Sequence, residues 1–152
     1  MPSRTSNSGP ASLFLDGTIV LDATADDGTL AEWLLSSISG ATVFSIRPTS
    51  DAAAALRATL GMRRTGKGVF SAKKMPTEHT EFASRLFHAV VSDLSAAALA
   101  ETPVLREFRR VLRSQGLLVV PGSGGLLEGF TALTLDEPGL PSGSWTVYRA
   151  AE

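Results

Sequence analysis

Four arginines, Arg106, Arg109, Arg110 and Arg113, recur at i, i+3, i+4 and i+7, a spacing that places them on one face of a helix. Leu105, Phe108 and Leu112 take another face of the same turn pattern, so the apolar side is expected on a core and the arginines outward. Such a face is either a solvated helix surface or an electrostatic dock for an acidic protein surface. Neither a nucleic-acid-binding motif nor interleaved aromatic residues accompanies it, which disfavours nucleic acid as the partner.

Other residue sets suggest chemistry and then lack its setting. Gly61 to Gly68 reads GMRRTGKG, one residue away from a phosphate-binding G-x-x-x-x-G-K-[ST] loop. That loop must follow a strand and open a helix, whereas this one is expected to follow a helix and precede a strand, and Gly68 offers no hydroxyl to magnesium. Serines, acids, His79 and His88 supply the residue types of a nucleophilic triad, but no G-x-S-x-G elbow occurs and His88 falls inside an apolar strand run. With no cysteine, thiolate zinc sites, iron–sulfur clusters and disulfides have no ligands to draw on, and two histidines, His79 and His88, disfavour a metal site built on imidazoles.

The first strand-to-helix loop reads Leu21-Asp22-Ala23-Thr24-Ala25-Asp26-Asp27-Gly28-Thr29. In open α/β sheets ligands bind beyond the carboxyl ends of the strands, so this loop is the first place to look for a site. A nucleoside or dinucleotide ligand needs several glycines there for close backbone approach, and Gly28 stands alone. Asp26 and Asp27 are expected instead to cap the following helix and favour its dipole. Asp93 ends its own strand and can serve a site or cap the helix beginning near Ser95.

The elements that must position these groups alternate along the chain. Strands are expected over 13–22, 41–46, 68–72, 87–94, 117–120, 130–135 and 144–149. Helices are expected from Asp26 or Asp27 through Ile38, from Ser50 or Asp51 to Leu60 with Gly61 as its stop, and from Pro103 to Gln115 with Thr102 as cap. The stretch from Lys73 to Arg85 shows no clear period. Strands alternating with helices imply right-handed crossovers and a mostly parallel, three-layer α/β sheet, and the last two strands, joined without a helix, imply a terminal antiparallel hairpin.

At 152 residues, with 43% apolar and 19% charged side chains, the chain makes one domain, expected over 13–152 behind a flexible polar tail over 1–12. No apolar run approaches a membrane span, and the N-terminus lacks the apolar core of a secretory signal, so a cytoplasmic location is expected. The net charge of −1 is unevenly spread: residues 52–113 carry eleven basic and five acidic side chains, while both flanks are acidic.

The order of elements resembles a class I S-adenosylmethionine-dependent methyltransferase core. The run from Phe87 to Val120, FHAVVSDLSAAALAETPVLREFRRVLRSQGLLVV, looks like its fourth strand, helix and fifth strand, and FTALTLDEP with SWTVYRAA looks like its terminal hairpin. The resemblance implies strand order 3-2-1-4-5-7-6. It also marks departures at the cofactor seat. Asp22 keeps the first-loop acid, but Thr24 and Asp26 stand where two of three alternating glycines would be, leaving Gly28. Arg47 follows the second strand where an acid would hold ribose hydroxyls, and Lys73 and Lys74 follow the third. Each loss implies about 1–3 kcal/mol less binding, moving a micromolar ligand towards millimolar.

A finer resemblance lies in Gly129-Phe130 through Glu137-Pro138 and then Ser144-Trp145-Thr146-Val147. That run looks like the N-terminal methyltransferase-like domain of anamorsin-type cytosolic iron–sulfur assembly proteins. It implies a non-catalytic interaction domain with no cofactor of its own, iron–sulfur clusters in a cysteine-rich C-terminal part, and a diflavin reductase as partner, for which Arg106, Arg109, Arg110 and Arg113 are the expected contact. The alternative is a small methyltransferase with a variant cofactor loop.

Overall fold

The structure, a computed structural model, describes residues 14–63, 68–122, 125–133 and 145–151, with 61–63 by backbone alone. The expected tail over 1–12 lies outside them, as do 64–67 of GMRRTGKG and the end of the expected sixth strand. Seven strands, β1 (Ile19–Ala23), β2 (Thr42–Arg47), β3 (Val69–Lys74), β4 (Phe87–Ser92), β5 (Leu112–Pro121), β6 (Phe130–Ala132) and β7 (Trp145–Ala150), form one sheet in the order β3-β2-β1-β4-β5-β7-β6. The first five are mutually parallel; β7 runs antiparallel to β5 and β6 antiparallel to β7. Helices α1 (Thr29–Ser37), α2 (Ser50–Arg63), α3 (Ala96–Leu99) and α4 (Val104–Val111) complete the described elements. The order is that implied by the resemblance.

Side chains alternate across each strand, and both faces of this sheet are covered. Val20, Val43, Ala89, Val91, Val119 and Val147 join Leu30, Leu34 and Leu56 of α1 and α2 in one core. Their neighbours Leu21, Val90, Leu118, Val120 and Tyr148 join Leu99 and Phe108 in the other. Such double burial is why these strands read as near-continuous apolar runs rather than alternating ones.

Several boundaries differ from expectation. Strand β1 begins at Ile19 where a strand was expected from 13, and β4 ends at Ser92 where it was expected to run to 94. Helix α2 continues through Gly61 to Arg63, and its first free N–H groups are taken by Thr49 rather than Ser50 or Asp51: Ala52 donates to the Thr49 hydroxyl at 3.1 Å. The stretch after β3 holds no helix; Phe82 pins it by stacking with Phe44 and Phe87 at centroid separations of 5.4 and 4.9 Å. The largest change is at α4, which ends at Val111 instead of Gln115. Leu112 is already extended (φ −80°, ψ 140°) and pairs with Phe87 in the sheet.

Between Leu112 and Leu117 the β5 strand bulges, because Phe87 and Ala89, two residues apart, face positions five apart. Gln115 takes φ +67°, and a Cβ on Gly116 would stand 2.9 Å from the Arg113 carbonyl oxygen. The core holds Leu112 in the sheet, and only glycine fits the return at 116. Arg113 therefore leaves the helix.

Candidate functional site

A cavity of about 620 Å³ opens beyond the carboxyl ends of β1 to β4, within the size range of small-molecule sites. Ile46, Met75, Leu94, Val104 and Phe108 give it apolar walls, while Thr24, Arg47, Lys74, Glu78 and Asp93 give it polar ones. This edge is where an open α/β sheet binds its ligands, at the reversal of strand order between β1 and β4.

The floor is a buried polar network that ties β1 to β2. Asp22, fully buried, accepts the Thr24 N–H at 3.1 Å and hydroxyl at 2.6 Å on Oδ1. Its Oδ2 accepts the Ser45 hydroxyl at 2.7 Å and Arg47 Nη2 at 3.1 Å. Arg47, 3% exposed, donates further to the carbonyls of Ile46 at 2.9 Å and Asp26 at 2.8 Å. Asp22 and Ser45 are register partners, and Arg47 lies two residues on, so it returns to the same face of the sheet. The sequence pairs neither Arg47 with Asp22 nor Ser45 with either; adjacent strand ends carrying opposite charges were the signal.

The loop that follows uses its N–H groups internally. Asp26 Oδ2 accepts those of Gly28 and Leu30, both at 2.8 Å, and Asp27 accepts that of Thr29 at 3.2 Å, so the first donors of α1 are met by these carboxylates. Asp93 reaches across from β4 to accept the Ala25 N–H at 3.1 Å, while Ser95, not Asp93, caps α3. Thr24, Ala25, Asp26 and Asp93 also border a second cavity of about 280 Å³ shared with Pro121 and Trp145. Asp93 thus stands between the two.

Gly28 is a packing residue. Its φ is +117°, and a Cβ would lie 2.9 Å from Leu60 Cδ2 and 3.3 Å from Leu56 Cδ1. We expect Gly28→Ala to destabilise the chain by about 1–3 kcal/mol, from left-handed strain and displaced α2 side chains. Urea unfolding at constant m-value checks it.

The four arginines do not share one helix face, although Arg109, Arg110 and Arg113 come to line one concavity. Arg106 and Arg109 are exposed on α4, but Arg110 folds back on Glu107, with Nη2 and Nε at 2.6 and 3.0 Å from its carboxylate. The same carboxylate accepts the Thr80 N–H at 2.9 Å and hydroxyl at 2.5 Å. The Arg110 bond, partly offset by burial and helped by Thr80, lowers the Glu107 pKa from 4.5 to about 2, and the same bond raises that of Arg110. Arg113, in β5, holds Nη1 3.2 Å from His88 Nε2. His88 Nδ1 accepts the Ile19 N–H at 3.0 Å, so the neutral ring carries its proton on Nε2, facing a second donor. Burial first, and then the Arg113 charge, lower its pKa. His79 is an exposed loop residue.

No family model and no curated protein matches the chain. Solved structures do. It is similar to an S-adenosylmethionine-dependent methyltransferase from Aquifex aeolicus, with 14% identity and a TM-score of 0.65 over 100% of this chain and 94% of that one. One from Methanosarcina mazei gives 14% identity and a TM-score of 0.62 over 99% and 98%. The fold is that of class I S-adenosylmethionine-dependent methyltransferases. Phosphoethanolamine N-methyltransferase 2 of Haemonchus contortus, solved with S-adenosyl-L-methionine, is 18% identical with a TM-score of 0.57, over 76% of this chain and 27% of its own. The chain spans 43% to 56% of the length of four other solved structures it matches.

The expectation of a non-catalytic domain is corrected: the two solved structures that this chain matches over nearly their whole length are S-adenosylmethionine-dependent methyltransferases. The residues behind that expectation also look different in place. At the carboxyl edge of the sheet the charge of Arg47 is paired with that of Asp22. No helix among the described residues is long and apolar enough to cross a membrane.

Proposed function

We propose that the chain is a small S-adenosylmethionine-dependent methyltransferase domain with a variant cofactor seat, and that the 620 Å³ cavity holds the methyl donor. The single observation that carries this is an open, largely apolar cavity at the ligand edge of a methyltransferase fold, with the charge of Arg47 internally balanced. With Arg47 matched by Asp22, the remaining charged groups on its wall are Lys74, Glu78 and Asp93, a net charge of −1 that suits a cationic ligand.

The bound donor supplies an electrophilic methyl group on a sulfonium sulfur. The chain's own work is to bind and orient. Met75, Leu94, Val104 and Phe108 offer an apolar slot for a planar base, and Glu78 and Asp93 offer carboxylate acceptors for hydroxyl or ammonium donors. Asp93 and the Thr24–Asp26 loop divide this cavity from the one beside Trp145, so an acceptor substrate there would lie next to the donor. The iron–sulfur assembly role implied by the anamorsin resemblance rests on the variant cofactor residues, the lack of a helix before the last two strands and the run from Gly129 to Val147, of which 134–144 lie outside the described residues.

Calorimetric titration tests the proposal. S-adenosylmethionine is expected to bind one to one, with a dissociation constant between about 10 µM and 1 mM. Leu94→Trp, which fills the cavity from a half-buried wall position, is expected to weaken binding by about tenfold or more without lowering the melting temperature. No saturable heat, or equal affinity in the variant, would count against it.

A further inference from the structure

At the opposite end of the sheet, the beginnings of β4 and β5 and the end of β7 surround a second concavity of about 200 Å³. Four of the residues lining it are arginines: Arg85, Arg109, Arg110 and Arg113. Among the described residues, no acidic side chain lines it. They come from three places in the chain, the segment before β4, the last turn of α4 and the bulge of β5. Arg109 and Arg110 alone could be explained as complements to the negative end of the α4 dipole. Arg85 and Arg113 belong to other elements and have no such reason to be there.

The backbone around the concavity is held in uncommon conformations. Arg85 has φ +59°, a left-handed conformation rare for a side chain of this size, and its N–H donates to the Arg110 carbonyl at 2.9 Å. The bulge that releases Arg113 from α4 contains Gln115, the other non-glycine residue of positive φ among those described. Both irregularities thus lie in the segments that bring arginines to one spot. Arg110 is fixed by Glu107 and by donation to the Phe82 carbonyl at 2.8 Å and the Ser84 hydroxyl at 3.2 Å. Arg109 lies over the Cα of Gly129, its Cζ 2.6 Å from where a Cβ would stand. Among the described residues, Arg110 alone of the four has a carboxylate within ion-pair distance.

Convergent guanidinium groups without matching carboxylates repel one another, and an oxyanion relieves that repulsion while accepting their forked donors. We propose that this concavity is a binding site for a small phosphate-bearing anion, separate from the methyl-donor cavity. Its volume suits a phosphate or diphosphate group; Ser114 adds a hydroxyl donor, Arg85, Arg109 and Arg113 supply the positive charge, and Arg110, paired with Glu107, forms a fixed wall. His88 reports on it, because its Nε2 sits 3.2 Å from Arg113.

The test is titration of the whole chain with inorganic phosphate, pyrophosphate and adenosine monophosphate, at constant ionic strength set by chloride. The His88 ring resonances and the melting temperature are followed. Saturation by phosphate and pyrophosphate is expected, with the His88 signals moving, and loss of affinity by about tenfold or more in Arg85→Ala/Arg113→Ala. Both side chains are exposed, so the fold is expected to survive; Arg113→Lys, which keeps charge but loses the fork, should fall between. Tighter binding of the nucleotide than of phosphate, lost in the same double variant, would assign the anion to an organic phosphate. Binding unaffected by the double variant, or no saturation by any of the three up to about 10 mM, would overturn the site.

Discussion

Replacing Arg47 with methionine is expected to lower the unfolding free energy by about 3–5 kcal/mol, the cost typical of removing one partner from a buried ion pair. Asp22 is fully buried, and Arg47 is the charge beside its Oδ2; without it the carboxylate keeps Thr24 and Ser45 but no counter-charge. The carbonyls of Ile46 and Asp26 lose donors at 2.9 and 2.8 Å in the same step. Asp22→Asn combined with Arg47→Met removes both charges and should recover part of the loss, because the charge left stranded by the single substitution is then absent. Urea denaturation of the two single variants and the double variant measures the coupling. Additive effects would mean that the pair contributes through packing alone.

Glu107→Gln is expected to be the second largest effect, and it carries a pH signature. The folded pKa is about 2 against an ordinary 4.5, so the folded state favours the ionised form. That difference corresponds to about 3 kcal/mol. Because Arg110 is 36% exposed, screening trims the effective value to about 2 kcal/mol. A lowered carboxylate pKa gives stability that is complete above pH 4.5 and is lost as pH falls towards about 2. The wild-type chain should therefore lose stability steeply on that acid limb, and the glutamine variant, already weaker at neutral pH, should show a flatter one. Parallel profiles would contradict the assignment.

Most of the architecture was legible because it rests on patterns that tertiary packing cannot easily override. Apolar runs such as Phe87–Ser92 and Leu117–Val120 read as doubly covered strands, and Gly40, Pro48 and Gly116 punctuate them. What escaped depends on pairing across the chain. The α4 boundary followed helical spacing through Arg113, but Leu112 is held in the sheet opposite Phe87, and that choice is made by the core, not by local propensity. Likewise Glu107 lies at an ordinary helix position, and its partner Thr80 is 27 residues away in a stretch with no period.

The place of the candidate site was legible; the pairing within it was not. Asp22 and Arg47 fall at the ends of β1 and β2, with Thr24 and Asp26 in the loop after β1, and spacing alone gives no sign that Arg47 pairs with Asp22. Only the β1–β2 register shows that it turns back on Asp22, with Ser45 as third partner. Of the departures at that seat, the arginine ending β2 pairs with the acid that β1 retains. Gly28, read as the remnant of a ligand-binding loop, is explained by its packing against Leu56 and Leu60.

The central claim is that the cavity at the carboxyl edge of β1 to β4 holds the methyl donor. The most direct measurement is a titration of the chain with S-adenosylmethionine followed by backbone amide resonances. Saturable shifts at Thr24, Arg47, Met75, Asp93 and Leu94, with Arg85 and Arg113 unmoved, are the predicted result. Spectra unchanged at millimolar ligand, or shifts confined to the arginine concavity, would contradict it.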